Sequence, residues 1–396
     1  MATTNIGGLV NSDSNFNLTR PSAQLIKEYR EHKIISLLTS VGAINVENSL
    51  QKTGADTVRM FNMLRLDGGG YSGDADRYSN ATGNDYGHRD LSIDLLGRSV
   101  KYRKTGSVTQ QIAAFDLSEG VGQSLKNWIM NMVTYGIINH LGGNSATSII
   151  APLVSATFTG STGELALKKV TGMNTVAAPT STYKAIGAGG VGSVTTDEGI
   201  DADNVLKFSD FQTARQTILN HVSGVPLWNV LDQTDYQAIA FVSSTGMNQL
   251  KSDAVTQGQG VQLMQYNYAK LAGGQAISMT DFVLDGIRFI EVADALMPRG
   301  VHSSTSAAVA NTRRAILVGK GALDLAFGAG YVAPTGDTWP GFKVSTDAMY
   351  KPLNGEVYVA ADALFGCKKV QLYGQGANAA TQYDAATYVI THYTAS

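Results

Sequence analysis

DLSEGVGQSLKNWIMNMVTYGIINHLGG, residues Asp116–Gly143, is the stretch whose reading decides the fold. Leu117, Val121, Leu125, Trp128, Met132 and Tyr135 recur at steps of three and four, which places them on one face of a helix. Ile129, Val133 and Ile137 widen that face into a broad stripe. Asp116 and Glu119 have the spacing of a capping box, with Asp in the place usually taken by Ser or Thr. Gly142-Gly143 stops the helix, because glycine tolerates the left-handed conformation of a C-terminal cap. At ~1.5 Å per residue the helix runs roughly 40 Å, the width of a whole domain. It carries no catalytic motif, so it reads as a spine to which other parts attach.

Just upstream, residues 56–104 predict two strands flanking a long tip. Val58, Met60, Leu64 and Leu66 alternate, as do Leu91, Ile93 and Leu95, followed by Val100 and Tyr102. Gly97 is a candidate bend or bulge in the second strand. A two-stranded ribbon does not support itself in water and needs a surface, either its parent domain or a neighbouring subunit. The tip carries Asp67, Asp74, Asp76, Asp85 and Asp90, whereas the base carries Arg98, Lys101, Arg103 and Lys104. In a head-to-tail ring, an acidic tip could meet a basic base next door; the alternative is solvated charge on both. Asp74, Asp76, Asp85, Arg98, Lys101, Arg103 and Lys104 are therefore the candidate inter-subunit contacts. Further upstream, residues 1–20 lack periodicity. Ser22–Ser40 predicts an amphipathic helix, with Leu25, Ile26, Tyr29, Ile34 and Leu37 apolar; it either docks on its own domain or reaches a neighbour.

Downstream, residues 144–206 are rich in Gly, Ser, Thr and Ala and read as a loop-rich insertion, with strands predicted at Ala151–Thr159 and Leu165–Val170. Ser209–Val222 returns to helix, with Phe211, Ala214, Ile218 and Leu219 on one face and Ser209 or Asp210 as cap. Tyr236–Val242 reads as a buried strand, and Asp285-Gly286 as a type I′ hairpin turn between Phe282-Val283-Leu284 and Ile287-Arg288-Phe289. Arg314–Val318 predicts a strand running into a short helix, Lys320–Phe327. Glu356–Ala360, Lys369–Tyr373 and Thr387–Tyr393 close the chain as strands. The class is α+β, with no βαβαβ series.

Over 396 residues only 16% are charged, against 43% hydrophobic, so the surface has less charge than usual and is expected to be covered by copies of itself. A net charge of −2 proposes no basic nucleic-acid-binding face. One cysteine, Cys367, excludes an internal disulfide framework and fits a reducing compartment. No signal-peptide pattern opens the chain, and no apolar run approaches the ~18 residues of a membrane span. Gly187–Gly192 matches G-x-G-x-x-G in form, but the residues after it do not open a helix, so no cofactor is expected. Gly319-Lys320 lacks the rest of a phosphate loop. The six histidines are scattered without ligand spacing, and Asp74, Asp76 and Asn80 lack the glycine and terminal Glu of a calcium loop.

This order of parts resembles the major capsid proteins of tailed bacteriophages with the Hong Kong 97-type shell fold, and in particular the capsid family of the N-four-like podophages. Three segments carry the likeness: Asp90–Lys104 leading into QQIAAFDLSEGVGQSLKNWIMNMVTYGIINHLGG, then NTRRAILVGKGALDLAFG, and the closing YDAATYVITHYTAS. The resemblance implies an arm at 1–50, an extended loop at 51–112, a spine helix at 113–143, an insertion at 144–206, an axial domain at 207–312 and a return to the peripheral domain at 313–396. It implies a non-enzymatic shell subunit, assembled in the host cytoplasm into hexamers and pentamers of a virion. Its partners would be itself, a portal protein, scaffolding or decoration proteins, and DNA held non-specifically on the inner face. Some phages of this fold lock the shell through a Lys–Asn bond on the extended loop. Asp67–Arg89 contains no lysine, so no such bond is expected through this tip.

Two other readings remain. An encapsulin-type compartment would share the fold and hold protein rather than DNA. A β-rich hydrolase or carbohydrate-binding protein of a phage tail or cell surface would need paired carboxylates, for which Asp232 and Asp235 are the only candidates.

Overall fold

The computed structural model describes residues 33–47, 56–63, 86–103, 128, 132–143, 174–186, 196–220, 225–233, 235–256, 281–294, 296–305, 308–327, 349–351, 356–374 and 381–394. The chain opens with helix α1 (Lys33–Ser40) and strand β1 (Ile44–Glu47), then a ribbon of β2 (Thr57–Met63) and β3 (Tyr86–Ser92), and β4 (Asp94–Arg103). Helix α2 covers residues 132–142, and residue 128 is also helical. There follow β5 (Lys184–Ile186), α3 (Phe208–Leu219), β6 (Ala238–Ser243), α4 (Ser244–Thr256), β7 (Asp281–Leu284) and β8 (Ile287–Val292). The chain ends with β9 (Thr312–Val318), β10 (Leu323–Phe327), β11 (Met349–Lys351), β12 (Glu356–Lys369), β13 (Gln371–Tyr373), β14 (Gln382–Asp384) and β15 (Thr387–Tyr393). A six-stranded sheet runs β5-β15-β9-β6-β8-β7; a five-stranded sheet runs β1-β10-β12-β11, with β4 also on β12.

Helix α2 lies between these sheets. Met132, Val133, Ile137, Ile138 and Leu141 form one core with Ile239, Phe241, Ile316 and Val318 of the larger sheet and Leu323, Leu325, Phe365 and Cys367 of the smaller. Leu38 and Ile44 complete it. Strand alternation sends the other residues of the larger sheet, Ala240, Val242, Ala315, Leu317 and Phe289, to a second core under α3 and α4. There Phe211 meets Phe289 edge to face, with centroids 4.8 Å apart. Both faces of the six-stranded sheet are thus covered, which accounts for the wholly buried AIAFVS run of β6.

The expected single apolar stripe on α2 is broader in the structure: every described residue from Met132 to Gly143 is buried, Thr134, Asn139 and His140 included. A helix clamped between two sheets has no solvent face to reserve for polar residues. Burial drives the His140 pKa down to about 3, helped by Lys369 and Lys368, so the ring is neutral. The glycine stop holds: Gly143 has φ 60 and its N–H reaches the His140 carbonyl at 3.1 Å. The predicted N-terminal half, with Asp116 and Glu119, lies outside the described residues.

Other expectations are met or corrected. The Asp285-Gly286 turn is present, both residues having positive φ (50 and 72) between β7 and β8. Of Ser22–Ser40, Lys33–Ser40 is helix and docks on its own chain through the fully buried Leu38. Lys320–Phe327 is not a helix. Leu323–Phe327 is strand β10, set between β1 and β12 and buried throughout, because two waiting edges outweigh local helix propensity. Gly97 marks no bulge, since β4 runs in unbroken register against β12 with Gly97 opposite Asp362. The second ribbon strand instead breaks at Ile93, where it leaves β2 for β12. Helix α3 exposes Leu219, and its first turn is held by Asp210, whose carboxylate accepts the Lys207 N–H at 2.9 Å.

The expected 312/313 boundary does not separate the sheets: β9 and β15 belong to the six-stranded sheet, β10 and β12 to the five-stranded one. Within 144–206, β5 pairs with β15 of the six-stranded sheet. Both strands predicted there, and Gly187–Gly192, lie outside the described residues.

Candidate assembly interface

Strand β2 of the ribbon has no buried residue among those described: Thr57, Arg59 and Phe61 are exposed, and Val58 and Met60 are half-buried. The ribbon's register, Thr57 opposite Ser92 through Met63 opposite Tyr86, divides the side chains between two faces. Val58 and Met60 turn inward onto a small cluster of Leu91, Ile93, Ala326 and Leu364. Thr57, Arg59 and Phe61 turn outward, and Phe61 is 73% exposed. Arg59 holds Asp90 through two hydrogen bonds of 2.7 and 2.8 Å, which lower the carboxyl pKa. Part of the expected sign contrast is therefore satisfied inside the ribbon, because Asp90 is paired on its own strand partner.

The ribbon root is fixed to the five-stranded sheet by polar contacts. Arg89 forms an ion pair with Asp324, which is 2% exposed. Lys368 Nζ donates to the Asp90 carbonyl at 2.9 Å, and burial lowers the lysine pKa. Asn174 accepts the Ser92 N–H and donates to its carbonyl, at 3.0 and 2.8 Å. Beneath this, Gly366 gives room: a Cβ there would sit 2.0 Å from the Ser92 oxygen.

Of the predicted contact residues, Arg98, Lys101 and Arg103 lie on β4, opposite Ala361, Tyr358 and Glu356 of β12. Asp74, Asp76, Asp85 and Lys104 lie outside the described residues. Sequence reasoning missed Phe61, Arg59 and Asp324. Phe61 had a signal, since it falls out of phase with Val58 and Met60. Asp324 had none, because its role depends on a ribbon residue far away in the chain.

Two buried ion pairs brace the body behind the ribbon. Arg314 Nη2 lies 2.6 Å from Asp197, while its Nη1 donates at 2.9 Å to the carbonyls of both Gly142 and Gly143. A cation thus caps the carbonyl end of α2. Burial alone would raise the Asp197 pKa, but Arg314, Lys184 and the Val301 N–H outweigh it and lower it. Lys369 and Asp384, both fully buried, meet at 2.8 Å. Cys367 is fully buried and its thiol pKa is pushed up, which makes it inert.

Nothing among the described residues forms a metal-binding group of His, Cys, Asp or Glu. Asp232 and Asp235 are exposed, and Asp232 pairs with Lys320. Ser304 Oγ and Glu198 Oε1 approach the same nitrogen of His302, Nδ1, at 3.3 and 4.0 Å, whereas a hydrolytic relay needs opposite ring nitrogens. No described helix is long and apolar enough to cross a membrane.

A buried helix between two sheets, with a two-stranded β-ribbon rooted on the smaller one, is the arrangement of the Hong Kong 97-type shell fold. Solved capsids share it. The capsid of Ralstonia phage GP4 aligns with a TM-score of 0.67 at 14% identity, covering 100% of this chain and 99% of that one. The cyanophage Pam1 capsid gives 0.60 at 17% identity over 100% of both chains. The head of Helicobacter pylori bacteriophage KHP40 gives 0.59 at 15% over 99% of both. No curated protein sequence matches. The chain belongs to the phage capsid protein family, whose model matches residues 10–396. It is a major capsid protein, a structural subunit of the phage virion.

Proposed function

We propose that this subunit assembles through heterologous contacts into hexamers and pentamers, which close an icosahedral head around double-stranded DNA. The ribbon and the N-terminal arm bind neighbouring subunits, and the observation that carries this is the outward ribbon face with its exposed Phe61. Burying such faces contributes about 25 cal/mol per Å², offset in part by association entropy, so each contact is modest and the shell is stable collectively. The six-stranded sheet with α3 and α4 is the axial domain; the five-stranded sheet with α2 is the peripheral domain. The acidic tip, Asp74, Asp76 and Asp85, meets the basic base, Arg98, Lys101, Arg103 and Lys104, of the next subunit. Assembly takes place in the host cytoplasm, around a portal and with scaffolding or decoration proteins. The protein has no catalytic role or cofactor and holds DNA without an electrostatic grip, as its net charge of −2 favours. Kinship with the N-four-like podophages belongs to this reading and rests on the order of segments.

Electron microscopy of the purified protein under assembly conditions tests it. Closed shells are expected; small monodisperse particles under every condition would sink it. Nuclease-protected DNA in particles from infected cells separates a phage head from a protein-filled compartment. Mass spectrometry of boiled particles is expected to find no Lys–Asn adduct involving Asp67–Arg89.

A further inference from the structure

Asn45 of β1, Asp324 of β10 and Lys368 of β12 stand opposite one another across three adjacent strands. They share the sheet face that carries Ala326 toward the ribbon root, because Leu323, Leu325 and Phe327 take the alternate positions in the main core. The ribbon lies over this polar row. Arg89 grips Asp324, with Nη2 3.3 Å from Oδ1 and Nε on Oδ2. The same Oδ1 accepts Asn45 Nδ2 at 3.0 Å. One buried carboxylate therefore serves two segments that are far apart in sequence, the N-terminal segment and the ribbon.

We propose that Asp324 couples these segments, so that the placement of β1 sets the order of the ribbon and the ribbon in turn steadies β1. The physical ground is joint orientation of one carboxylate in a water-poor site, where a lost donor is not replaced and the carboxylate is freed to turn out of the geometry that its other partner uses. Strand β1 has four residues on a sheet edge, and the ribbon has two strands with a small cluster beneath it. Coupling through a shared group then makes the two cooperate. Resting on the reading that arm and ribbon bind neighbours, this means that a neighbour gripping one prepares the other for its own contact.

Hydrogen exchange on the soluble, unassembled subunit tests the coupling apart from shell formation. In Asn45→Ala, which removes a donor to Asp324 from the β1 side, ribbon amides at 57–63 and 86–92 are expected to exchange about fivefold faster, the lower end for coupled sites. That acceleration should vanish in an Asp324→Asn background. Arg89→Gln, which cuts the same link from the ribbon side, should also abolish it and should speed exchange at 44–47; it serves alone if Asp324→Asn fails to fold. Unchanged ribbon exchange in Asn45→Ala, or equal acceleration with the Asp324 link cut, overturns the proposal. Failure of the intact subunit to form shells would count against the assembly reading and leave this result standing.

Discussion

From Met132 to Gly143 every described residue of α2 is buried by the parent chain, whereas across the ribbon the side chains divide, Met60 inward and Phe61 73% exposed. Both elements are regular and hydrogen-bonded, so secondary structure does not distinguish them. The difference is what covers them. Helix α2 meets two sheets and an arginine on its terminal carbonyls, while the ribbon has one small cluster and an ion pair at its root. An element completed inside the chain governs whether the subunit exists; one left half covered governs what the subunit joins.

The largest effect should come from the brace behind α2. Arg314→Ala leaves Asp197 buried without its main partner and the α2 carbonyls unmet, and should cost about 3–5 kcal/mol in urea unfolding. Ile137→Ala, at a side chain with no exposure, should cost about 2–5 kcal/mol. Either variant folding with native stability would break the contrast at its core.

Acid should weaken the body next. Burial lowers the pKa of His140 to about 3 and of His392 to about 4, both below the ~6.5 of an unfolded histidine. The unfolded chain then binds more protons as pH falls below ~6.5. The stability of neutral burial is full above that value and declines toward pH 4, by up to about 1.4 kcal/mol per pH unit for each ring. Urea unfolding of the soluble subunit at about pH 7.5 and about pH 5.5 checks the sign. A flat profile would mean that both rings are hydrated.

The smallest effect on the subunit should come from the ribbon. Phe61→Ser should change unfolding free energy by no more than about 0.5 kcal/mol, since the ring is mostly exposed, yet sharply reduce shell yield by light scattering. Arg59→Ala should leave the melting temperature unchanged, because its bond to Asp90 is exposed. Normal assembly of Phe61→Ser would place the neighbour contact elsewhere.

Local chemistry determined much of this protein from the sequence alone. The glycine stop after α2, the Asp285-Gly286 turn, the buried β6 and the paired C-terminal strand β15 each follow from residues close together in the chain, whose backbone preferences act without distant partners. The resemblance to phage capsids likewise rested on the order of such segments. Tertiary structure alone decided the rest. Leu323–Phe327 became a strand because two edges awaited it, α2 lost its polar face because sheets cover both sides, and the segment after residue 312 was shared between sheets. Asp324 took its place at the ribbon root for the same reason: an aspartate in an apolar strand acquires a role only when folding brings Arg89 and Asn45 to its two oxygens.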